Sequence, residues 1–301
     1  TNGFYLPFKQ DYTVEGFSTV TYKGTGVNPT YIGGTGYRPD LTWIKPRSTA
    51  DNHVLYDSVR GYNKQLKVNA TDAEDTNGRV ASATDGFTLT TTDGNQNSAS
   101  HTYVAWNWDM GADTPTGFGC VIYKGNAGRL DVSGFGFSPD MVWIKPTTVG
   151  DHHRLCDTVR GVKKSLTVNE TSAESTSSNN FLEAFNPDGF TIDTADGGWN
   201  SASHYYVAWA WDMGDTTVTN TSGSINSQVR ANTTYGQSIV SYTGNATSGA
   251  TVGHGLSSAP EMIIVKGRES ATNWAVLHKG IAADYETDYI AMNNSSTAVD
   301  N

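Results

Sequence analysis

The chain has 301 residues, of which 88 are Thr, Ser or Asn, and only 17% are charged. Its net charge is −10, and no basic run is longer than two residues, so neither a nucleic acid nor an anionic membrane is expected as a partner. No apolar run approaches the length of a membrane-spanning helix, and we expect no membrane insertion. Aromatic residues make up 11% of the chain, which favours packed domains over disorder.

The chain repeats itself after an opening segment, residues 1–15. Residues 97–110 read NSASHTYVAWNWDM, residues 200–213 read NSASHYYVAWAWDM, and 12 of the 14 positions are identical. Shorter matches recur upstream at offsets of 100 to 103 residues. A period of about 100 residues is the size of a small domain. We therefore predict repeat 1 at residues 16–114 and repeat 2 at residues 115–214.

The Tyr-Val-Ala-Trp-x-Trp segment alternates as a β-strand does. Val104, Trp106 and Trp108 fall on one face, which predicts a core strand, and their counterparts in repeat 2 are predicted to be buried equivalently. The two repeats differ on the opposite face, at Asn107 and Ala210. This difference predicts that the opposite face is less constrained by packing.

Other strand signals surround this segment. Residues 43–46, Trp-Ile-Lys-Pro, end at a proline, and residues 87–90 follow an Asp-Gly turn. Short strands with turn signals every 8–12 residues or so are typical of antiparallel sandwiches. The sequence therefore predicts an all-β fold of tandem antiparallel β-sandwich repeats.

The rest of the chain is a link followed by a third copy. Residues 215–235 are rich in Thr, Ser and Asn, and Ser222-Gly223 lies between two alternating runs, which predicts a linking β-ribbon with a hairpin turn. Residues 236–301 align with the first part of a repeat, with Pro-Glu-Met-Ile-Ile-Val-Lys at residues 260–266. We predict repeat 3 here, and we predict that it is incomplete.

The Asp-Gly-Phe and Tyr-Val-Ala-Trp segments have no counterpart in repeat 3. Without them a sandwich leaves an apolar face and an unpaired strand edge, which recruits other strands unless covered. We expect either that the polypeptide continues beyond Asn301 or that a neighbouring subunit supplies the missing strands.

Trp199 is a candidate for a binding contact. It replaces Gln96 of repeat 1 in a Gly-rich turn, where an exposed indole could stack on a sugar ring. The other tryptophans of the repeats alternate on an apolar face and are expected in the core.

The titratable motifs are expected to be structural. Asp57 and Arg60 of the Asp-x-Val-Arg-Gly motif could serve an enzyme, but an ion pair that closes a turn is favoured. Histidines 53, 101, 153 and 204 recur in pairs between the first two repeats. Because two complete catalytic sites in tandem would be unusual, a hydrogen-bonded structural role is favoured over a triad.

No metal or cofactor is predicted. The loops 93–97 and 196–200 each carry a single carboxylate, too few for a calcium site, and plain turns are favoured. Cys120 and Cys156 are also too few for a metal pattern or a disulfide framework.

Several of these segments resemble a repeat of tailed bacteriophages, in particular phages of marine bacteria and cyanobacteria. The matching pieces are Trp143-Ile144-Lys145, residues 51–61, Val168-Asn169-Glu170-Thr171, Asp188-Gly189-Phe190 and Tyr206-Val207-Ala208-Trp209. Repeat 3 resembles a sister form of this repeat. The opening segment resembles the end of a lectin-like, concanavalin-type sandwich, which implies that residues 1–15 are one N-terminal strand, the remnant of a preceding lectin-like domain. The resemblance implies a large virion structural or fibre protein without catalytic residues.

We therefore expect a virion structural protein, namely a tail fibre or another host-contacting appendage with adhesive or spacer modules. Its expected partners are other virion subunits, copies of itself in a homo-oligomer, and a host cell-surface glycan. A capsid-decorating or head-fibre protein is one alternative, and a cell-surface adhesin or filament subunit is another. An enzyme that degrades polysaccharide would need two carboxylates across a cleft, and the sequence offers no candidate pair, so no enzymatic activity is expected.

Overall fold

The structure, a computed structural model, describes residues 16–111, 115–176, 181–281 and 288–299. These residues form β-strands, turns and irregular segments. Within them, no helix is long and apolar enough to cross a membrane. The predicted all-β fold is confirmed, whereas the predicted N-terminal strand at residues 1–15 lies outside the described residues.

Repeat 1 is a sandwich of two antiparallel sheets. Its strands are β1 (Phe17–Lys23), β2 (Thr30–Gly33), β3 (Leu41–Pro46), β4 (Val54–Asp57), β5 (Leu66–Lys67), β6 (Val80–Ala83), β7 (Gly86–Leu89) and β8 (Thr102–Trp108). The larger sheet has the order β1-β8-β3-β4-β5, and the smaller has the order β2-β7-β6. The Tyr-Val-Ala-Trp strand β8 thus lies between β1 and β3.

Repeat 2 has the same plan. Its strands are β9 (Phe118–Lys124), β10 (Arg129–Ser133), β11 (Met141–Pro146), β12 (Arg154–Asp157), β13 (Lys164–Thr167), β14 (Ser175–Thr176), β15 (Leu182–Asn186), β16 (Gly189–Asp193) and β17 (Tyr205–Trp211). The sheets have the orders β14-β13-β12-β11-β17-β9 and β10-β16-β15. Strand β17 occupies the position of β8, between β9 and β11.

The link and repeat 3 contribute two further sheets. Their strands are β18 (Val218–Asn220), β19 (Ser227–Asn232), β20 (Gln237–Tyr242), β21 (Met262–Lys266), β22 (Trp274–His278) and β23 (Ile290–Ala291). The orders are β18-β19-β20 and β21-β22-β23. The predicted hairpin around Ser222-Gly223 is confirmed, since β18 pairs antiparallel with β19.

The predicted local signals determine where strands turn and stop. Strands β3 and β11 end at Pro46 and Pro146. The Asp-Gly turn joins β6 to β7, and Gly86 there has a φ of +121°. A Cβ atom on Gly86 would lie 2.0 Å from the carbonyl oxygen of Ile32, so only glycine fits between the two strands.

Both faces of β8 are buried, so the predicted looser packing of the face that carries Asn107 is wrong. Tyr103, Ala105 and Asn107 have no exposed surface and face the smaller sheet of their own sandwich. Asn107 Oδ1 accepts a hydrogen bond of 3.1 Å from Thr42 Oγ1 on the adjacent strand. In repeat 2 this polar pair becomes Val142 beside Ala210. At this position one repeat thus has a hydrogen-bonded polar pair and the other an apolar pair, so neither repeat leaves a buried polar group of the pair without a partner.

The tryptophan-bearing face is buried as predicted, but its cover comes from the other repeats. The larger sheets of repeats 1 and 2 and the β21-β22-β23 sheet turn one face towards a single shared core. Its buried members are Leu41, Trp43, Leu55, Leu66, Val68, Val104, Trp106, Phe118, Cys120, Trp143, Leu155, Leu166, Val168, Val207, Trp209, Trp211, Met213, Trp274, Val276, Ile281, Ile290 and Met292. The prediction that these residues are equally buried in both repeats fails only at Trp108, which is half-buried, whereas its counterpart Trp211 is buried.

Candidate functional site

The titratable residues of the larger sheets meet where two repeats join. We call these joints the first seam (repeats 1 and 2), the second seam (repeats 2 and 3) and the third seam (repeats 3 and 1). In the first seam, Glu74 N donates to Thr147 O at 2.8 Å. The same bond runs from Glu174 N to Arg268 O in the second seam and from Ala298 N to Arg47 O in the third. The three seams are therefore built alike, and the repeats close into a ring.

A lysine crosses each seam, buried in the first and third seams and half-buried in the second. Lys145 Nζ donates to Thr71 O at 3.2 Å in the first seam, and Lys45 Nζ donates to Ser295 O at 3.1 Å in the third. Lys266 Nζ donates to Thr171 O in the second seam. These acceptors occupy the same position in each repeat, so every lysine is held by a carbonyl of the neighbouring repeat.

A tryptophan and a histidine form the next layer. Trp143 Nε1 donates to His153 Nδ1 at 3.0 Å, and His153 Nε2 is 3.0 Å from Lys67 O across the first seam. Trp43 and His53 repeat this pair, with His53 Nε2 3.1 Å from a carbonyl oxygen of repeat 3. Because Nδ1 accepts, Nε2 carries the proton and donates. Each imidazole is thus neutral, with both ring nitrogens engaged.

In the second seam a single residue replaces the pair. Trp274 stands at the position of His53 and His153, and its Nε1 donates to Thr167 O at 3.0 Å. The seam bond is thus kept by an indole instead of an imidazole.

The Asp-x-Val-Arg-Gly motif is an ion pair that closes a turn, as predicted, and it also serves the first seam. Arg60 Nε donates to Asp57 Oδ2 at 2.6 Å, and Arg60 N donates to Asp57 Oδ1. Gly61 follows with a φ of +102°. Across the seam, Trp209 Nε1 donates to Asp57 Oδ2 at 3.2 Å, and the Arg60 guanidinium lies 5.8 Å from the Trp209 ring centroid.

Burial sets the protonation states of these groups. It lowers the pKa of His53 and of His153 well below the ordinary value, and the charge of the adjacent lysine adds to the effect. Burial also lowers the pKa of Lys45 and of Lys145 to about 8. The seams therefore hold neutral imidazoles, with lysines that remain largely charged at neutral pH.

The prediction of an exposed Trp199 is wrong. Its side chain is 1% exposed and stacks on Phe181, with ring centroids 5.3 Å apart and an interplanar angle of 7°. Its carbonyl oxygen accepts a hydrogen bond from the Tyr123 hydroxyl. Trp199 therefore packs inside the sandwich of repeat 2, because a Gly-rich turn can fold an aromatic ring inwards as easily as expose it.

His101 and His204 lie apart from the seams. Their backbones are hydrogen-bonded, since Gly24 N donates to His101 O and Gly125 N donates to His204 O. The Nδ1 atom of each ring is buried and finds no partner in the structure as described. The backbone thus has the predicted structural role, whereas the predicted hydrogen bonding does not extend to Nδ1.

The remaining candidates are turns and buried thiols. The loops 93–97 and 196–200 are turns in which Asn97 N bonds to Asp93 O and Asn200 N bonds to Asp196 O. Both cysteines are free and buried, in different clusters of the core. Among the described ranges, no three His, Cys, Asp or Glu side chains are placed to hold a metal ion.

The seam lysines and the Trp–His pairs were not predicted from the sequence to lie together. Trp-Ile-Lys-Pro and a histidine ten residues after the tryptophan recur in both repeats, so the spacing was visible. Their partners lie as many as 238 and 250 residues away, for His53 and Lys45. Only the folded ring brings them together.

Three β repeats about one shared core, with their ionisable groups engaged at the seams, define an all-β tandem-repeat protein. The model of a family described as a domain of unknown function (DUF7483) matches residues 13–117 and 113–301. These segments span nearly the whole chain, and the chain belongs to this family. No curated protein and no solved structure matches it.

Proposed function

We propose that this chain is a rigid, non-catalytic module of a virion appendage, in particular of a tail fibre that contacts the host. The proposal rests on the resemblance of its repeats to those of tailed bacteriophages. The observation that favours a mechanical role is the ring of three like seams, where each repeat donates hydrogen bonds to a neighbour. A closed ring has no terminal repeat whose whole packing face meets water.

The seams suit a spacer because the imidazole and carboxylate groups that a catalytic site would need already make hydrogen bonds within the protein. In the first seam, His153 has both nitrogens engaged, and Asp57 accepts bonds from Arg60 and Trp209. No atom of this set is left to abstract a proton from a substrate. The sandwiches would transmit force along the appendage, while the polar loops at the surface would contact other virion subunits or a host glycan.

Location on the particle is the decisive test. Antibodies raised against the purified chain, coupled to gold, should decorate the tail region of intact virions in electron micrographs. Label on the head would favour a capsid-decorating or head-fibre protein instead, and label on cells without virions would favour a surface adhesin. Particles that lack the gene serve as the control.

Enzymatic activity is tested separately. Purified protein incubated with host envelope polysaccharide should release no oligosaccharide. Reproducible release that a single Asp or Glu substitution abolishes would contradict the non-catalytic part of the proposal, whatever the location of the protein.

A further inference from the structure

We propose that β20 and β21 form a docking groove for one added β-strand of the repeat's own type. In repeats 1 and 2, the Tyr-Val-Ala-Trp strand lies between the strands that correspond to β20 and β21. Strand β20 pairs with β19 and β21 pairs with β22, but neither has a described partner on its other edge. The groove is therefore the vacant position of β8 and β17 in repeat 3.

The side chains along β21 are exposed where their counterparts are buried. Ile263, Ile264 and Val265 are 44%, 43% and 37% exposed. The matching residues of β3, Thr42 and Trp43 among them, are at most 1% exposed, because β8 and the packed layers cover them. An uncovered strand edge of this kind is a template for strand addition.

A glycine marks where the turn before the added strand would pass. A Cβ atom on Gly24 would lie 2.2 Å from Ser98 O, and one on Gly125 would lie 2.1 Å from Ser201 O. The corresponding residue in repeat 3 is Gly244, and a Cβ atom there would meet nothing within 4 Å. In the first two repeats glycine is required by the turn that precedes β8 or β17. At Gly244 the space for that turn is open.

An unstacked aromatic ring lies beside that space. Tyr22 stacks on Tyr103 of β8 with ring centroids 5.0 Å apart, and Tyr123 stacks on Tyr206 of β17 at 4.9 Å. Tyr242 occupies the same position in repeat 3 and is 44% exposed. It offers a flat apolar surface for the tyrosine of an incoming strand.

These features specify the chemistry of the occupant. It is an extended peptide, antiparallel to both β20 and β21 as β8 is to β1 and β3. It carries tyrosine and small residues on one face and tryptophans on the other, after an Asn-Ser-Ala-Ser-like turn. A second copy of residues 16–299 is a poor donor, because its own β8 and β17 are each paired on both edges.

Direct binding tests the groove. The probe is a fluorescent peptide with the sequence of residues 196–213, extended by lysines for solubility and titrated with the 301-residue protein. We expect saturable anisotropy with a Kd below about 100 µM. The same peptide with Ala208→Pro should not bind, since proline removes a ladder hydrogen bond from a strand paired on both sides. Absence of saturable binding would overturn the proposal.

A matched pair of protein variants tests the location. Gly244→Ala adds a methyl group in open space and should leave the melting curve unchanged, but should weaken peptide binding by about tenfold or more. Gly128→Ala, at another uncrowded glycine, should change neither. If Gly244→Ala does not fold, Tyr242→Ser takes its place. Binding that none of these variants changes would overturn the proposal.

Disulfide cross-linking tests the pairing register between the peptide and β21. Ala208 pairs with Ile144, whose counterpart in repeat 3 is Val265. A Val265→Cys protein should therefore cross-link to a peptide with Ala208→Cys and not to one with Asp196→Cys. Equal cross-linking to both peptides would show non-specific adhesion and overturn the proposal. A concentration-dependent dimer of the protein that excludes the peptide would also overturn it, by naming a second copy as the occupant.

Discussion

The indole nitrogen of Trp209 donates a hydrogen bond of 3.2 Å to Oδ2 of Asp57, a residue 152 positions earlier in the chain. Its counterpart Trp106 faces repeat 3, where His278 stands at the position of Asp57, and its Nε1 is buried without a described partner. One tryptophan of the repeat is thus bonded across its seam, while the equivalent one is only packed.

This difference predicts unequal costs for two matched substitutions. Trp209→Phe removes a hydrogen bond to a buried carboxylate, whereas Trp106→Phe removes an indole N–H that has no partner. We expect Trp209→Phe to lower the free energy of unfolding by about 1.5–3 kcal/mol more than Trp106→Phe does. Urea denaturation of both variants measures the difference. Equal costs would show that the seam bond contributes nothing net.

The compensated pair in the sandwich interior predicts non-additive substitutions. Asn107→Ala alone leaves the buried hydroxyl of Thr42 without its acceptor. Adding Thr42→Val gives the combination that repeat 2 has at Val142 and Ala210. We expect the double variant to cost less than the sum of the single variants by about 1 kcal/mol. A double-mutant cycle in urea checks this, and strict additivity would contradict it.

The seam lysines predict a rise of stability at alkaline pH. The pKa of Lys145 is about 8 in the folded protein and 10.5 is its ordinary value, so the unfolded chain binds more protons between these values. Stability therefore rises with pH in this window. Relative to Lys145→Met, the wild-type protein should gain up to about 1.4 kcal/mol per pH unit between pH 8 and 10.

The measurement is the free energy of unfolding of both proteins at each pH. The titrating tyrosines are common to both and cancel in the difference. A difference that is independent of pH would mean that the lysine is not desolvated in the folded protein.

The seam histidines predict acid lability. Burial lowers the folded pKa of His153, so the unfolded chain binds the extra proton first as the pH falls below the ordinary value of 6.5. The stabilisation that the neutral imidazole contributes is complete above pH 6.5. It is lost as the pH falls towards the pKa of His153 in the folded protein. His278 behaves likewise, with a pKa lowered by burial to about 4.

We expect the wild-type protein to lose up to about 1.4 kcal/mol per pH unit for each such histidine below pH 6.5. His153→Gln should give a flatter profile, since glutamine can still donate to Lys67 O and does not titrate. Thermal melts between pH 7 and 5 compare the two proteins. Parallel profiles would exclude His153 as a source of the acid sensitivity.

Much of the fold follows from local sequence pattern. The 12 identities between residues 97–110 and 200–213 locate two repeats. The alternation around Trp106 predicts a strand with a buried face, and Pro46 and the Asp-Gly turn locate a strand end and a hairpin. These features depend on backbone conformation and near neighbours, which are encoded within a few residues.

The candidate site was less predictable. The ion pair of Asp57 and Arg60 could be predicted because its members are three residues apart. The burial of Trp199 could not be predicted, because it depends on whether Phe181 is placed to stack on its ring.

The sequence by itself determined the repeats, the strands and which face of the Tyr-Val-Ala-Trp strand is apolar. Only the tertiary structure decided what covers that face. Alternation shows that a surface must leave water, but the hydrophobic effect is non-directional and does not specify the partner. The surface that covers the apolar face is specified by Lys45, His53 and Trp209. Their hydrogen bonds across the seams join residues more than 150 positions apart.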